Sequence, residues 1–134
     1  MNRIPITVSA KFKRATARAT FEQGDGQLKI NSVPLELFGT ELSRQRIMEV
    51  LRLAEDRLGK VNVRIRVEGG GISGQTNAIR TSIASGLIRW SQDPELRQKF
   101  MEYDRSMVKG DVRVKESKKP GRRRARAKKQ KSYR

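Results

Sequence analysis

Apolar and polar residues alternate from the start of the chain. Ile4, Ile6, Val8 and Ala10 are separated by Pro5, Thr7 and Ser9, the period of a half-buried strand. Pro5 restricts that strand to a start or edge position, because proline has no N–H for a sheet ladder. Residues 11–14 (KFKR) read as a basic turn. Ala15, Ala17, Ala19 and Phe21 then alternate with Thr16, Arg18, Thr20 and Glu22, giving a second strand. QGDGQ is a turn with two glycines and LKINS a short third strand, so strands two and three are expected to form a hairpin.

The period then changes. Thr40 is a suitable N-cap with Glu41 in the first turn, and Ile47, Leu51, Ala54 and Leu58 recur at helical spacing up to Gly59. The clearest strand follows, with Val61, Val63, Ile65 and Val67 on one face and Asn62, Arg64, Arg66 and Glu68 on the other. After a glycine loop, Ile79, Ile83 and Leu87 form an i, i+4, i+8 stripe that ends near Trp90, a core candidate. Arg80, Thr81, Ser85 and Arg89 fall off that stripe. Asp93 and Pro94 open a last short helix as N-cap and first residue. The order βββ-α-β-α-α predicts an α+β fold, a four-stranded sheet with helices packed on one face. The opposite face, polar and basic, is left to solvent or a partner.

Charge changes this picture at the C-terminal end. The 134 residues hold 31 Lys and Arg against 14 Asp and Glu, a formal net charge of +17. Residues 109–134 alone carry 13 cations and 2 acids, Asp111 and Glu116. A globular body is expected over residues 1–105 and an extended basic tail over 106–134. From Lys118 and Lys119 onward the tail has no acid and no apolar stripe to bury, so it is expected to be disordered when free. Fully extended, it would reach on the order of 90 Å at about 3.3 Å per residue. The field of such a chain favours a polyanion, either nucleic acid or an anionic membrane surface. No apolar run approaches the length of a membrane span, and the N-terminus lacks the apolar stretch of a secretory signal, so a cytosolic chain is expected. With no Cys and no His, disulfides, thiol nucleophiles and the usual metal ligands are excluded, and the commonest general base is missing. The expectation is a binding protein without cofactor or metal, not an enzyme.

The sequence GGGISGQTNAIR bears on that expectation. Gly69, Gly71 and Gly74 satisfy G-x-G-x-x-G, and Gly69 and Gly74 satisfy the glycine spacing of a P-loop. Both nucleotide readings lack their context. Gln75 stands where a P-loop needs lysine, and no strand ending in an acid follows the helix. What remains is a tight connection from strand to helix, whose backbone N–H groups are also suited to a phosphate.

Taken as a set, several motifs look familiar. GGGISGQ with AIR three residues on, KFKRATARATF near the start, then YDR, DVRVKESKKPG and ARAKKQKSYR resemble the universal small-subunit ribosomal protein number nine family, in its archaeal/eukaryal form. The resemblance covers nearly the whole chain. It implies a βαβ crossover of the unusual left-handed kind, a body bound to rRNA in the head of the small subunit, and a tail reaching toward peptidyl-site tRNA. Neighbouring small-subunit proteins are implied as partners; a membrane and homo-oligomers are not expected.

Carried over, the rRNA-facing residues are Lys11, Lys13, Arg14 and Arg18 in the first turn and second strand. In the glycine loop and its helix they are Gly69, Gly70, Gly71, Ser73, Gln75 and Arg80. In the tail they are Lys118, Lys119, Arg122, Arg123, Arg124, Arg126 and Lys128. Lys131, Tyr133 and Arg134 are the expected tRNA contacts. The chain departs from the family pattern at residues 122–124, where relatives often carry glycines, and at Lys128 and Lys129, where an aromatic residue is common. Two other classes stay open: a sugar or metabolite kinase of the same fold group that uses the glycine loop for ATP, and a generic basic nucleic-acid or chromatin-type protein.

Overall fold

The computed structural model describes residues 4–54 and 60–128. Strands β1 (Ile6–Phe12), β2 (Ala15–Gln23), β3 (Leu28–Ile30), β4 (Val33–Pro34) and β5 (Val61–Glu68) form one sheet in the order β1-β2-β5-β3-β4. Helix α1 (Glu41–Ala54) lies between β4 and β5, and α2 (Ile72–Ser91), α3 (Pro94–Tyr103) and α4 (Arg105–Lys109) follow β5. The predicted alternation holds in β1, β2 and β5. Val8, Ala10, Ala15, Ala17, Ala19, Phe21 and the four β5 residues Val61, Val63, Ile65 and Val67 are buried, and the residues between them are exposed or half-buried. All helices therefore pack on one face of the sheet, and the other face is open.

The sheet corrects two expectations. It has five strands, because Asn31 and Ser32, both at positive φ (50° and 68°), turn the chain tightly into a two-residue β4. So short a strand, closed by Pro34, carries no period to read. Strands β2 and β3 do not pair with each other either. Strand β5 lies between them, antiparallel to β2 and parallel to β3. The side chain of Asn62, at the start of β5, explains the crossing. Its Oδ1 accepts from the N–H groups of Asp25, Gly26 and Gln27 at 2.9, 3.1 and 3.0 Å, holding the connecting loop across the end of β5. Asn31 then extends the β3–β5 ladder, with its Oδ1 accepting from the Val67 N–H at 3.0 Å and its Nδ2 donating to the Val67 carbonyl at 3.2 Å.

Helix α2 is the centre of the helical layer. It packs on β1, β2 and β5 and is covered by α1, α3 and α4. Its apolar stripe Ile79, Ile83 and Leu87 is fully buried, and Trp90 is buried as expected. Covered by these helices as well as by the sheet, it also buries Arg80 and Thr81, which fall off the stripe. Its small polar residues satisfy themselves within the helix. Thr76, Thr81 and Ser82 donate to the carbonyls of Ile72, Asn77 and Ile79 at 2.8, 3.0 and 2.8 Å. Thr40 caps α1 as predicted, accepting from the Ser43 N–H at 3.3 Å; Leu58 and Gly59 lie outside the described residues. Asp93 caps α3, with its side chain accepting from the Glu95 N–H at 3.0 Å.

Helix α4 extends the packed region past Arg105. Met107 is buried, and the chain leaves the body at Asp111, which is pinned to the β1–β2 turn. The Lys13 N–H donates to the Asp111 carbonyl at 2.5 Å and the Asp111 N–H to the Lys11 carbonyl at 3.3 Å.

Gly86 lets α2 sit this low. A Cβ there would fall inside the van der Waals surface of the fully buried Phe21 ring. In an exposed helix, Gly→Ala gains about 1 kcal/mol of helix propensity. Here overpacking of about 1–3 kcal/mol should exceed that gain. Gly86→Ala is expected to lower stability in urea unfolding, and a rise in the midpoint would show that the Phe21 contact does not set the helix height.

Candidate nucleic-acid interface

Two cationic surfaces come from the sheet and from the start of α2. On the open face of the sheet, side chains of alternate residues on β2, β3 and β5 stand together. Arg18 lies directly opposite Arg66, and Lys29 directly opposite Arg64. These four cations line one open trough with Thr20, Asn31, Ser32 and one acid, Glu68. Glu22 pairs with Arg64, leaving the Arg18–Arg66 juxtaposition as like charges on an exposed face. Such pairs cost a few tenths of a kcal/mol in a sheet. Only Arg18 of this group was singled out from the sequence as a contact. Lys29, Arg64 and Arg66 were missed, although the basic face of the β5 alternation was the signal that marks them.

The second surface surrounds the glycine loop. Gly69 and Gly70 have φ of 79° and 64°, a region other residues enter at a cost. They also press against the β1–β2 turn. A Cβ at Gly69 would lie 2.6 Å from the Arg14 carbonyl oxygen, and one at Gly70 would lie 3.1 Å from the Ala15 nitrogen. Gly71 differs. It is the N-cap of α2 at φ −103°, with nothing within 4 Å of the Cβ position. No side chain caps the helix there, so its first N–H groups and positive dipole end face the hollow in front of them. Lys13, Arg14 and Lys115 line that hollow with Gly70, Gly71 and Gly74.

The hollow measures about 240 Å³, below the roughly 300 Å³ at which small-molecule pockets begin but ample for a phosphate group. Gln75, at the lysine position of a P-loop, instead donates from Nε2 to the Gly69 carbonyl at 3.1 Å and closes the loop on itself. Helix α2 is followed by α3 rather than a strand, so the dinucleotide arrangement is not formed either.

The other predicted residues divide into three groups. Lys13 and Arg14 line this hollow, and Lys11 and Ser73 are exposed. Lys118, Lys119, Arg122, Arg123, Arg124, Arg126 and Lys128 are exposed along the tail. Lys131, Tyr133 and Arg134 lie outside the described residues. Arg80 stands apart. It is 8 % exposed and its Nη2 pairs with Glu49 at 3.2 Å and with Asp104 at 3.9 Å, joining α1, α2 and the α3–α4 junction.

The tail's exit is fixed electrostatically as well as by the backbone. Arg113 forms a bidentate pair with Asp111, and its N–H also donates to that carboxylate at 2.9 Å. These bonds hold the Asp111 carboxyl down at about 2. A depressed folded-state pKa means that its contribution is present above the ordinary carboxylate range and is lost only as pH falls through about 2. The exit therefore keeps its charge pattern at any pH near neutrality.

Among the described residues, no group of His, Cys, Asp and Glu is placed to hold a metal ion, and no helix is long and apolar enough to cross a membrane. Cations on a sheet face, cations around a helix start and a basic tail leaving beside that helix start form a surface suited to a polyanion. Comparison with known proteins makes this specific. Residues 10–134 match the family model Ribosomal protein S9/S16. Small ribosomal subunit protein uS9 of Thermoplasma volcanium is 47% identical over 129 residues, 96% of this chain and 98% of that protein. The protein of the same name in Halobacterium salinarum is 49% identical over 127 residues, 94% of this chain and 96% of that protein. That of Methanothrix thermoacetophila is 45% identical over 129 residues. The chain belongs to the ribosomal protein S9/S16 family.

The glycines separate by geometry. Gly69→Ala should cost about 1–3 kcal/mol, because it combines a positive φ with a carbonyl clash. Gly71→Ala should cost less than about 1 kcal/mol, the scale of a changed helix cap. Thermal unfolding of the two variants checks this; equal losses would mean that the loop does not depend on its contact with Arg14.

Proposed function

We propose that the protein is a structural constituent of the small ribosomal subunit, working in the cytoplasm, whose body binds rRNA and whose tail extends toward peptidyl-site tRNA. Its chemistry is neutralisation of phosphate and recognition of folded RNA shape, with no catalytic step. The observation that carries this reading is the Arg18–Arg66 pair of like charges in the open trough. A face that places cations opposite each other loses stability in the free protein and regains it when a phosphate backbone lies across them.

Family membership over nearly the whole chain supports the ribosomal setting. By resemblance, the rRNA belongs to the head of the subunit, the β3–α1–β5 crossover is left-handed, and neighbouring small-subunit proteins complete the surroundings. Gly69, Gly70, Gly71, Ser73 and Gln75 would present backbone and short polar groups to rRNA, with Lys13, Arg14 and Lys115 as counter-charges. Lys131, Tyr133 and Arg134 would reach the tRNA. Arg80 takes part only by holding the helices in place.

Arg66→Thr should stabilise the free protein by a few tenths of a kcal/mol and weaken rRNA binding, with the slope of log affinity against log salt reduced by about one. Stability and affinity moving in the same direction would sink the trough as a binding surface. Deleting residues 131–134 should leave association with the small subunit intact through a high-salt wash and lower the affinity of peptidyl-site tRNA for that subunit. Unchanged tRNA affinity would remove the terminal contact from the proposal.

A further inference from the structure

Asp111 and Glu116 are the only acids among the last 26 residues. Asp111 is taken up by Arg113 and the tail's exit. Glu116 is engaged twice: its Oε1 accepts from Lys119 Nζ at 2.9 Å and its Oε2 from Arg126 Nε at 2.9 Å. Lys119 Nζ also donates to the Ala125 carbonyl at 2.9 Å. Between these residues, Pro120 and Gly121 (φ 75°) form a turn in which the Arg122 N–H donates to the Lys119 carbonyl at 3.3 Å. Pro followed by a positive-φ Gly is the sequence of a type II turn. The chain from 116 to 126 is thus tied across its base and tightly turned, with Arg122, Arg123 and Arg124 exposed between.

We propose that Glu116 is a positioning residue that closes residues 116–126 into a preformed cationic loop, and that this loop binds clustered phosphates of a folded RNA. The inference rests on the reading of the protein as an rRNA binder and adds a device to it. On charge alone, an acid in this tail opposes RNA binding, since it cancels cations that would otherwise release counterions from the RNA. Geometry works the other way. A loop fixed before binding does not have to be ordered by the RNA, and its arginines arrive together.

Two features favour closure over simple masking of the cations. Lys119 is shared between Glu116 and a backbone carbonyl, so the bonds tie chain to chain rather than only charge to charge. Arg126 is held through Nε while its side chain stays 87 % exposed, which leaves its terminal amino groups open to a phosphate. Lys119 and Arg126 also hold the Glu116 carboxyl below the usual carboxylate range, so the tie is charged at neutral pH.

The test uses the full chain with two RNAs, an in vitro transcript of the small-subunit head domain and unstructured poly(U). Glu116→Gln is expected to weaken binding to the folded transcript about fivefold to tenfold while leaving poly(U) affinity unchanged or slightly raised. Glu116→Asp, which keeps the charge on a shorter arm, should fall between Gln and the native residue. If Glu116→Gln bound the folded transcript as tightly as the native chain or more tightly, Glu116 would be a bystander or a mask, and the loop proposal would be overturned with the rRNA reading intact. If the native chain did not prefer the transcript to poly(U), the rRNA reading would fail and the loop's ligand with it.

Discussion

Helix α2 packs on the sheet through small residues, with Gly86 against the Phe21 ring, and most of the architecture follows from that packing. The residues beneath it on β2 are Ala15, Ala17 and Ala19, all fully buried, and its own contact with Phe21 is made by Gly86. Side chains this small leave little apolar surface per residue, so the layer is completed from the sides by α1, α3 and α4 around a helix buried over most of its circumference. The same closeness forces the chain before α2 through Gly69 and Gly70, which lie against the backbone of the β1–β2 turn. The uncapped start of α2 is thereby carried to the side of Lys13 and Arg14.

A core confined to one face leaves the other free of packing duties. On that face the strands carry cations in register; of its acids, Glu22 pairs with Arg64 and Glu68 stands at the end of β5. The tail leaves the body beside the second cationic surface, because α4 and Asp111 return the chain to the β1–β2 turn. The tail's Lys115 therefore stands beside Lys13 and Arg14 of the body. Arg80 shows that charge alone does not define this region, since its guanidinium works among helices.

Much of this was legible in the alternation of β1, β2 and β5 and in the stripe of Ile79, Ile83 and Leu87, because burial on one face imposes a period. The caps at Thr40 and Asp93 were legible because each satisfies a backbone donor with a short side chain. The pairing of strands was not. Nothing in the local sequence of β3 says that Asn62, some 30 residues on, will hold the preceding loop across the end of β5. The depth of Arg80 and Thr81 was hidden for a related reason: a helical stripe reports the sheet beneath but not the helices at its sides. In the candidate interface, the basic first turn and the phosphate-suited glycine loop were read from their residues, while their rRNA-facing role came from the family resemblance. The trough was underestimated because its cations come from three strands that sequence order separates.

Strand β4 ends the sheet after two residues, and its Pro34 stands opposite Lys29 with no N–H to offer. A further strand cannot be added along that side. At the opposite border, β1 carries Lys11 near its end, where Asp111 already occupies the neighbouring position. Pro34 at one border, Asp111 beside the end of the other and a net charge of +17 on every copy together disfavour edge-to-edge pairing between copies.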